Sequence, residues 1–491
     1  MQVNSQGYWI DLRQLSPAVQ KSVAQKARVY AQVDDKNPLA RRAKASGRTV
    51  RGPSFVVTTT NSDGYTWIPR SWVEDLPEFI RFRPTVLEYR RSRIAATQLP
   101  PDTFTPTYTL KPNQLEVLAE VESYGGIVSG CLALHTGFGK TVVAIEIIRR
   151  LNVRTLWLSH TSALIRQFSE RVEGFLGVTV GELGASDGPI VSSTIQSLLR
   201  RDYPPDFFDS FGLVIIDEAH HMGAETFSSA FHKIGGIPHT IGLSATLQRK
   251  DGLEHVFQWS LGRVLTVREL VVTRKPLVRV VQGHWPVEIV MNRAGDPMFS
   301  QAITDLTRVE AYNQVILDTV AGIVRTEPER RVLVLTDRKE HIAILEAMIA
   351  SNPVLSTVHV GPLHGNLTER QFEANLSAKV ILATYGVAGE GFDCPGLNCV
   401  VMATPRNDIR QAVGRILGER VTALQPLIID IRNMLGIFCN QGRERIKFYH
   451  ESGFDVRIER VRASTDEPDE PDEPDSAAAA ASTEPDGFLE D

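Results

Sequence analysis

The chain has 491 residues, 42% hydrophobic and 23% charged, with a formal net charge of −5, which excludes collagen-like and wholly disordered chains and supplies roughly three domains of material. Its four cysteines (Cys131, Cys394, Cys399, Cys439) contain no C-x-x-C pair, so neither a disulfide framework nor a zinc knuckle is expected. The N-terminal residues lack a basic stretch followed by an apolar one, and no run reaches about 18 apolar residues, so the reading is a soluble, intracellular protein without membrane contact; cytoplasm, nucleus and a virus-infected cell or virion stay equally open.

Residues 1–107 are basic. The first 108 residues hold sixteen Lys/Arg against nine Asp/Glu. A helical pattern at Pro17–Val33, a Gly/Arg-rich stretch at 40–54 and strand-like runs at 55–60 and 65–69 predict an N-terminal α+β accessory domain. Arg41, Arg42, Lys44, Arg48 and Arg51 would attract a polyanion, and Tyr65 and Trp67 are candidates for stacking bases. The plainer alternative is a solvated basic face with two core aromatics.

From residue 109 the pattern changes. Apolar runs at 156–158, 190–194, 213–217, 240–244, 332–336, 380–384, 399–404 and 426–431 suit strands buried on both faces of a parallel sheet. Between them, 142–152, 163–176 and 341–350 repeat apolar residues at helical spacing. The expected fold class is α/β, with two tandem doubly wound domains at 108–270 and 306–460. A linker or insertion is expected at 271–305, and a helix over 301–324 opens the second domain. Residues 461–491 are expected to form a disordered acidic tail: Ser464–Asp491 holds eleven acids and no base, leaving the rest of the chain at +6. That tail reads as a solvated solubility arm, or alternatively as one that competes with nucleic acid or docks a partner.

Four strings carry chemistry. GFGKT at 137–141 follows the strand-like CLAL, at the start of a helix. Gly137 and Gly139 let backbone N–H groups converge on phosphate oxygens, Lys140 reaches the β- and γ-phosphates, and the Thr141 hydroxyl suits Mg²⁺. The strict G-x-x-x-x-G-K-[ST] pattern is not met, because Leu134 stands at its first glycine. DEAH at 217–220 follows an apolar strand, where Asp217 suits the metal and Glu218 suits the base that activates water. His220 and His221 lack metal-ligand spacing and are expected to couple or pack.

These strings, with SAT at 244–246 and QAVGR at 411–415, resemble superfamily 2 helicases and translocases over residues about 108–450. The second-domain strings at 332–341, 363–371 and 383–401 resemble the DEAH-type branch containing the repair helicase XPB, the phage helicase UvsW and poxvirus transcript-release helicases. The resemblance implies two RecA-like domains with ATP and Mg²⁺ between them. It implies that Gln114 reads adenine, that Asp393 touches the ribose, and that His220, Ser244, Thr246 and Gln411 couple hydrolysis to closure. It also implies strand contacts by Thr161, Gln167, Thr194, Gln196 and Thr384; these uncharged types position a backbone rather than attract it.

The implied activity is a nucleic-acid-stimulated ATPase acting on DNA, single-stranded or branched, in repair, recombination, replication or transcription, with a polymerase or transcription complex as candidate partner. The alternatives are an RNA helicase, a restriction-system motor subunit and a non-hydrolysing nucleic-acid-binding module. The last is motivated by Gly418, which stands where the family pattern places its final arginine. An arginine finger contributes about 10³–10⁵ in rate in well-studied NTPases. Arg415 remains, and Arg420 lies two residues past the gap. We predict that Arg415→Ala abolishes ATP turnover and that Arg420→Ala lowers it substantially; an unchanged rate in the second variant removes Arg420 from the mechanism.

Overall fold

All eight apolar runs form strands in the computed structural model, which describes residues 1–4, 7–30, 54–77, 79–125, 128–135, 137–204, 206–219, 224–245, 253–269, 274–292, 295, 297–365, 367–389, 394, 396–406, 409–417 and 424–461. The N-terminal strands are β1 (Gln2–Asn4), β2 (Gly7–Ile10), β3 (Arg28–Tyr30), β4 (Ser54–Val56) and β5 (Thr66–Ile68). The first large sheet contains β6 (Ser129–Leu134), β7 (Thr155–Ser159), β8 (Val180–Glu182), β9 (Ile190–Thr194), β10 (Leu213–Ile216), β11 (His239–Ser244) and β12 (Val264–Arg268). Its order is β12-β6-β11-β10-β7-β9-β8, and every pairing is parallel. Parallel strands need crossovers, and the helices Lys140–Leu151 and Ser162–Leu176 supply two of them.

The second sheet contains β13 (Leu277–Gly283), β14 (Arg331–Thr336), β15 (Val360–Leu363), β16 (Val380–Thr384), β17 (Leu397–Met402), β18 (Leu427–Asn433) and β19 (Asp455–Arg460). Its order is β15-β16-β14-β17-β18-β13-β19, again parallel throughout. These are two tandem RecA-like domains. One expectation is corrected here: the stretch 271–305 is not a linker throughout, because β13 lies inside the second sheet between β18 and β19. Its core residues Val278, Val280 and Val281 are interrupted by the half-buried Arg279 and followed by Gln282, so it did not read as a continuous apolar run.

The helix expected over 301–324 is two helices, Phe299–Leu306 and Glu310–Thr326. Their junction is held from within. Asn313 Nδ2 donates to the Thr307 carbonyl (2.9 Å), and His341 Nε2 lies 2.8 Å from Asn313 Oδ1. Thr336 Oγ1 stands 2.7 Å from His341 Nδ1, an arrangement that suits a neutral ring donating at Nε2 and accepting at Nδ1.

The N-terminal region is α+β, with the helices Pro17–Ala27, Arg70–Asp75 and Arg83–Ala96 beside a three-stranded β1-β2-β5 sheet and a β3-β4 pair. It is joined to the amino-terminal edge of the first sheet by two buried arginines. Arg70 donates to the Thr240 and Ser129 hydroxyls (2.5 and 2.8 Å) and to the Ile237 and Gly235 carbonyls (2.5 and 3.2 Å). Arg90 donates to the Pro238 carbonyl and the Ser129 hydroxyl, both at 2.6 Å. Trp67 is only 1% exposed and packs edge-on against His232, so it cannot stack on a base. Burial overturns that expectation for Trp67, which is a core aromatic, while Tyr65 is half-buried. Arg41, Arg42, Lys44, Arg48, Arg51 and the acidic tail lie outside the described residues. No helix among the described residues is long and apolar enough to cross a membrane.

Two buried histidines make stability depend on pH. Burial holds His341 down at about 3, and burial with the nearby Arg90 and Arg70 charges does the same to His239. An unfolded histidine titrates near 6.5, so between about 6.5 and 3 the unfolded chain binds protons that the folded chain does not. Their contribution is therefore complete above about pH 6.5 and is lost as pH falls below it, by at most about 1.4 kcal/mol per pH unit per histidine. Urea unfolding followed from pH 7.5 to 5 should show this slope, and His341→Gln should reduce it by one histidine's share; an undiminished slope refutes the assignment.

Candidate active site

Strand β6 delivers the chain at Leu134 to a loop in which Gly137 and Gly139 have φ of +88° and +93°. Non-glycine residues pay steric strain there. Phe138, 4% exposed, anchors the loop against the His135 ring. Gln114, 3% exposed, braces it: Nε2 donates to the Phe138 carbonyl (3.2 Å), while Oε1 accepts from Lys111 N (3.0 Å). The loop then enters the Lys140–Leu151 helix, whose N-terminal N–H groups and dipole favour an anion.

Because β11 lies between β6 and β10, the end of β10 stands two strands from this cradle. Lys140 Nζ reaches across to Glu218 Oε1 at 2.7 Å, with side chains only 12% and 19% exposed. Glu218 has φ +47°, an uncommon conformation for a residue with a side chain, and its N–H donates to Asp217 Oδ1 (3.0 Å). Burial, and then the Glu218 charge, raise Asp217 to about 6 against the opposing pull of Lys140. A carboxylate so penalised is suited to a cation that stabilises its charged form. Thr141 Oγ1 accepts from Arg171 Nη1 at 3.1 Å.

The other expected residues stand mainly at the same carboxyl-terminal edges. Ser244 closes β11, between Lys140 and Asp217, and is 5% exposed. Thr161 follows β7 and caps the Ser162–Leu176 helix, accepting from Leu164 N; Gln167 is half-buried on that helix. Thr194 closes β9 and caps the next helix through Ser197 N (3.1 Å), with Gln196 exposed beside it. In the second domain Thr384 closes β16, half-buried. Gln411 and Arg415 lie on the Arg410–Leu417 helix, of which the backbone is described. His220, Thr246 and Asp393 lie outside the described residues, as do Gly418 and Arg420.

A second set of residues escaped the sequence reading. Arg445 forms two bonds to Asp430 (2.8 and 2.9 Å), with side chains 2% and 0% exposed, and donates to the Arg406 carbonyl (2.9 Å). Arg406 pairs with Asp337, just past β14, and its guanidinium lies over the Tyr385 ring, just past β16. These contacts tie the ends of β14 and β16 to the segment entering the Arg410–Leu417 helix. Removing one member of a buried pair costs about 3–5 kcal/mol, since the other is left charged in the core. A lone acid in an apolar strand such as Leu427–Asn433 was the available signal. Arg171 had none: a basic residue on an amphipathic helix reads as solvated.

A glycine cradle facing an acidic pair on the first of two RecA-like domains is the arrangement of two-domain ATP-binding motors. Residues 107–249 match the family model described as type III restriction enzyme, res subunit, and 312–417 match the helicase conserved C-terminal domain. With both models in this order, the chain belongs to the superfamily 2 helicases. It is 29% identical over 385 residues to a putative ATP-dependent RNA helicase, L396, of Acanthamoeba polyphaga mimivirus, covering 74% of this chain and 72% of that one. It is 27% identical over 371 residues to a probable helicase, D10, of Escherichia phage T5, covering 73% and 79%. Among solved structures, T4 UvsW aligns over 91% of this chain and 96% of its own at 16% identity, with a TM-score of 0.35.

A Cβ on Gly139 would stand 2.5 Å from Gln114 Nε2. With the left-handed strain of about 1–2 kcal/mol, Gly139→Ala should weaken nucleotide binding about tenfold or more in a fluorescent-nucleotide titration. Full affinity in that variant means that the loop does not need this geometry.

Proposed function

We propose that this chain is a nucleic-acid-stimulated ATPase that steps along DNA. The 2.7 Å Lys140–Glu218 pair at the mouth of a glycine cradle, beside Asp217, carries the proposal. Gly137, Gly139 and Lys140 would hold the phosphates, with Gln114 on the adenine side. The donor set formed by the Thr141 hydroxyl and the desolvated Asp217 carboxylate fits Mg²⁺. When bound there, Mg²⁺ would neutralise charge on the β- and γ-phosphate oxygens.

Glu218 orients the attacking water and takes its proton. Lys140 must first exchange its carboxylate partner for phosphate, and this frees Glu218 to act as the base. Arg415 supplies positive charge from the second domain, and Asp393 contacts the ribose. His220, Ser244, Thr246 and Gln411 transmit the change at the phosphates to the relative position of the domains. Thr161, Gln167, Thr194, Gln196 and Thr384 hold one strand by its backbone, which favours stepping without sequence preference. The second-domain strings resemble the DEAH-type branch containing XPB and UvsW, and that resemblance supports DNA as the track. The name of the mimivirus relative supports a second reading, in which the track is RNA.

ATP turnover measured with single-stranded DNA, duplex DNA, forked DNA and RNA, with Lys140→Ala as the blank, tests both readings. The expected outcome is stimulation by DNA, greatest for single-stranded or forked substrates, and a loss of about 10²–10⁴ in rate in Glu218→Gln with nucleotide binding retained. Stimulation by RNA alone transfers the assignment to the second reading. If no nucleic acid stimulates the wild type, the motor reading fails.

A further inference from the structure

The hydroxyl best suited to hold the metal already has a cationic partner. Thr141 is the second residue of the Lys140–Leu151 helix, and its Oγ1 accepts a hydrogen bond from Arg171 Nη1 at 3.1 Å. Arg171 comes from the neighbouring Ser162–Leu176 helix, outside every motif of the sequence reading. The other members of the site are engaged in the same way. Lys140 is paired with Glu218, and the Asp217 carboxylate accepts the Glu218 N–H. Thr141 and Lys140, which would face the metal and the phosphates, are thus both held by protein groups that have to be exchanged.

We infer that Arg171 is a positioning residue that stands in for the divalent cation at Thr141 and sets the Mg²⁺ concentration at which the site loads. This rests on the ATP·Mg²⁺ reading of the same site. Ligation to Mg²⁺ requires an oxygen at about 2.0–2.1 Å, and a guanidinium bonded to that oxygen would place like charges within a few ångströms of each other in a half-buried cleft. Arg171 therefore leaves Thr141 before the hydroxyl becomes a ligand. The bond that is broken is a charge-assisted donor to a neutral oxygen, so its competition is modest and is confined to the metal. Nucleotide binding without metal does not require the exchange. The contact also keeps the Thr141 hydroxyl oriented and satisfied in a site otherwise crowded with charge.

The sign of the effect separates this role from a structural one. Loss of a merely structural arginine would weaken loading, whereas loss of a competitor makes loading easier. The test uses the full chain and the fluorescent nucleotide mant-ADP, titrated in EDTA and then across MgCl₂ at fixed nucleotide. Arg171→Met, which keeps the aliphatic stem, should lower the half-saturating Mg²⁺ concentration about three- to tenfold, with affinity in EDTA unchanged. Arg171→Lys, which keeps the charge, should stay closer to wild type. In a Thr141→Ala background, Arg171→Met should produce no further shift. If the wild type binds mant-ADP with a clear Mg²⁺ midpoint and Arg171→Met leaves it unmoved or raises it, the stand-in role is wrong while the nucleotide reading survives. If the wild type binds no mant-ADP at any Mg²⁺ concentration, the nucleotide reading falls and this inference falls with it.

Discussion

Parallel pairing of β6, β11 and β10 is the constraint on which the site depends. Strands in a parallel sheet end on the same side, and neighbouring strands lie about 4.8 Å apart, so the loops after β6 and β10 are held within reach of one another. The register pairs Ser244 with Ala133 and Ile216 with Gly242, which sets the heights at which Lys140 and Glu218 emerge. Their ion pair closes the gap across β11. A slip of one residue in either strand would turn its side chains to the opposite face and remove Glu218 from Lys140.

The opposite edge of that sheet is held by chemistry of another kind. Arg70 and Arg90 come from the N-terminal region and donate to backbone carbonyls and hydroxyls at the amino-terminal ends of β6 and β11. Val29, Val57 and Trp67 enter the same apolar cluster as Val214, Ile216 and Phe227. The N-terminal region is thus bonded to the first RecA-like domain and shares its core. In the second domain the corresponding role falls to Asp430 and Arg445, whose pair fixes the segment between β17 and the Arg410–Leu417 helix. Both sheets are thus tied to neighbouring segments by buried arginines: Arg70 and Arg90 at the first, Arg445 at the second.

Strands and motifs were legible wherever the local pattern was unambiguous. Runs such as Leu213–Ile216 and Val380–Thr384 are apolar on both faces and allow little besides a buried parallel strand. The glycine loop at 137–141 and the Asp217–Glu218 pair were legible as a turn into a helix and an acidic strand end because each is written in a few adjacent residues. β13 was missed because its arginine and glutamine interrupt the run, and only its place between β18 and β19 makes it a sheet member. The single helix expected over 301–324 was wrong because Asn313 and His341, 28 positions apart, meet to hold its break.

The sequence by itself determined the class of fold, the order of its two domains, the glycine loop and the acidic pair, since each rests on spacing within a few residues of chain. Tertiary structure decided which groups face each other: Gln114 beneath the phosphate loop, Arg171 on Thr141, Trp67 in the core, and Arg445 on Asp430. Those contacts join residues 15 to 30 positions apart or, for Trp67 and His232, 165 apart. Local propensity has no information at such separations; burial does, because a desolvated charge or donor must find a partner wherever the chain brings one.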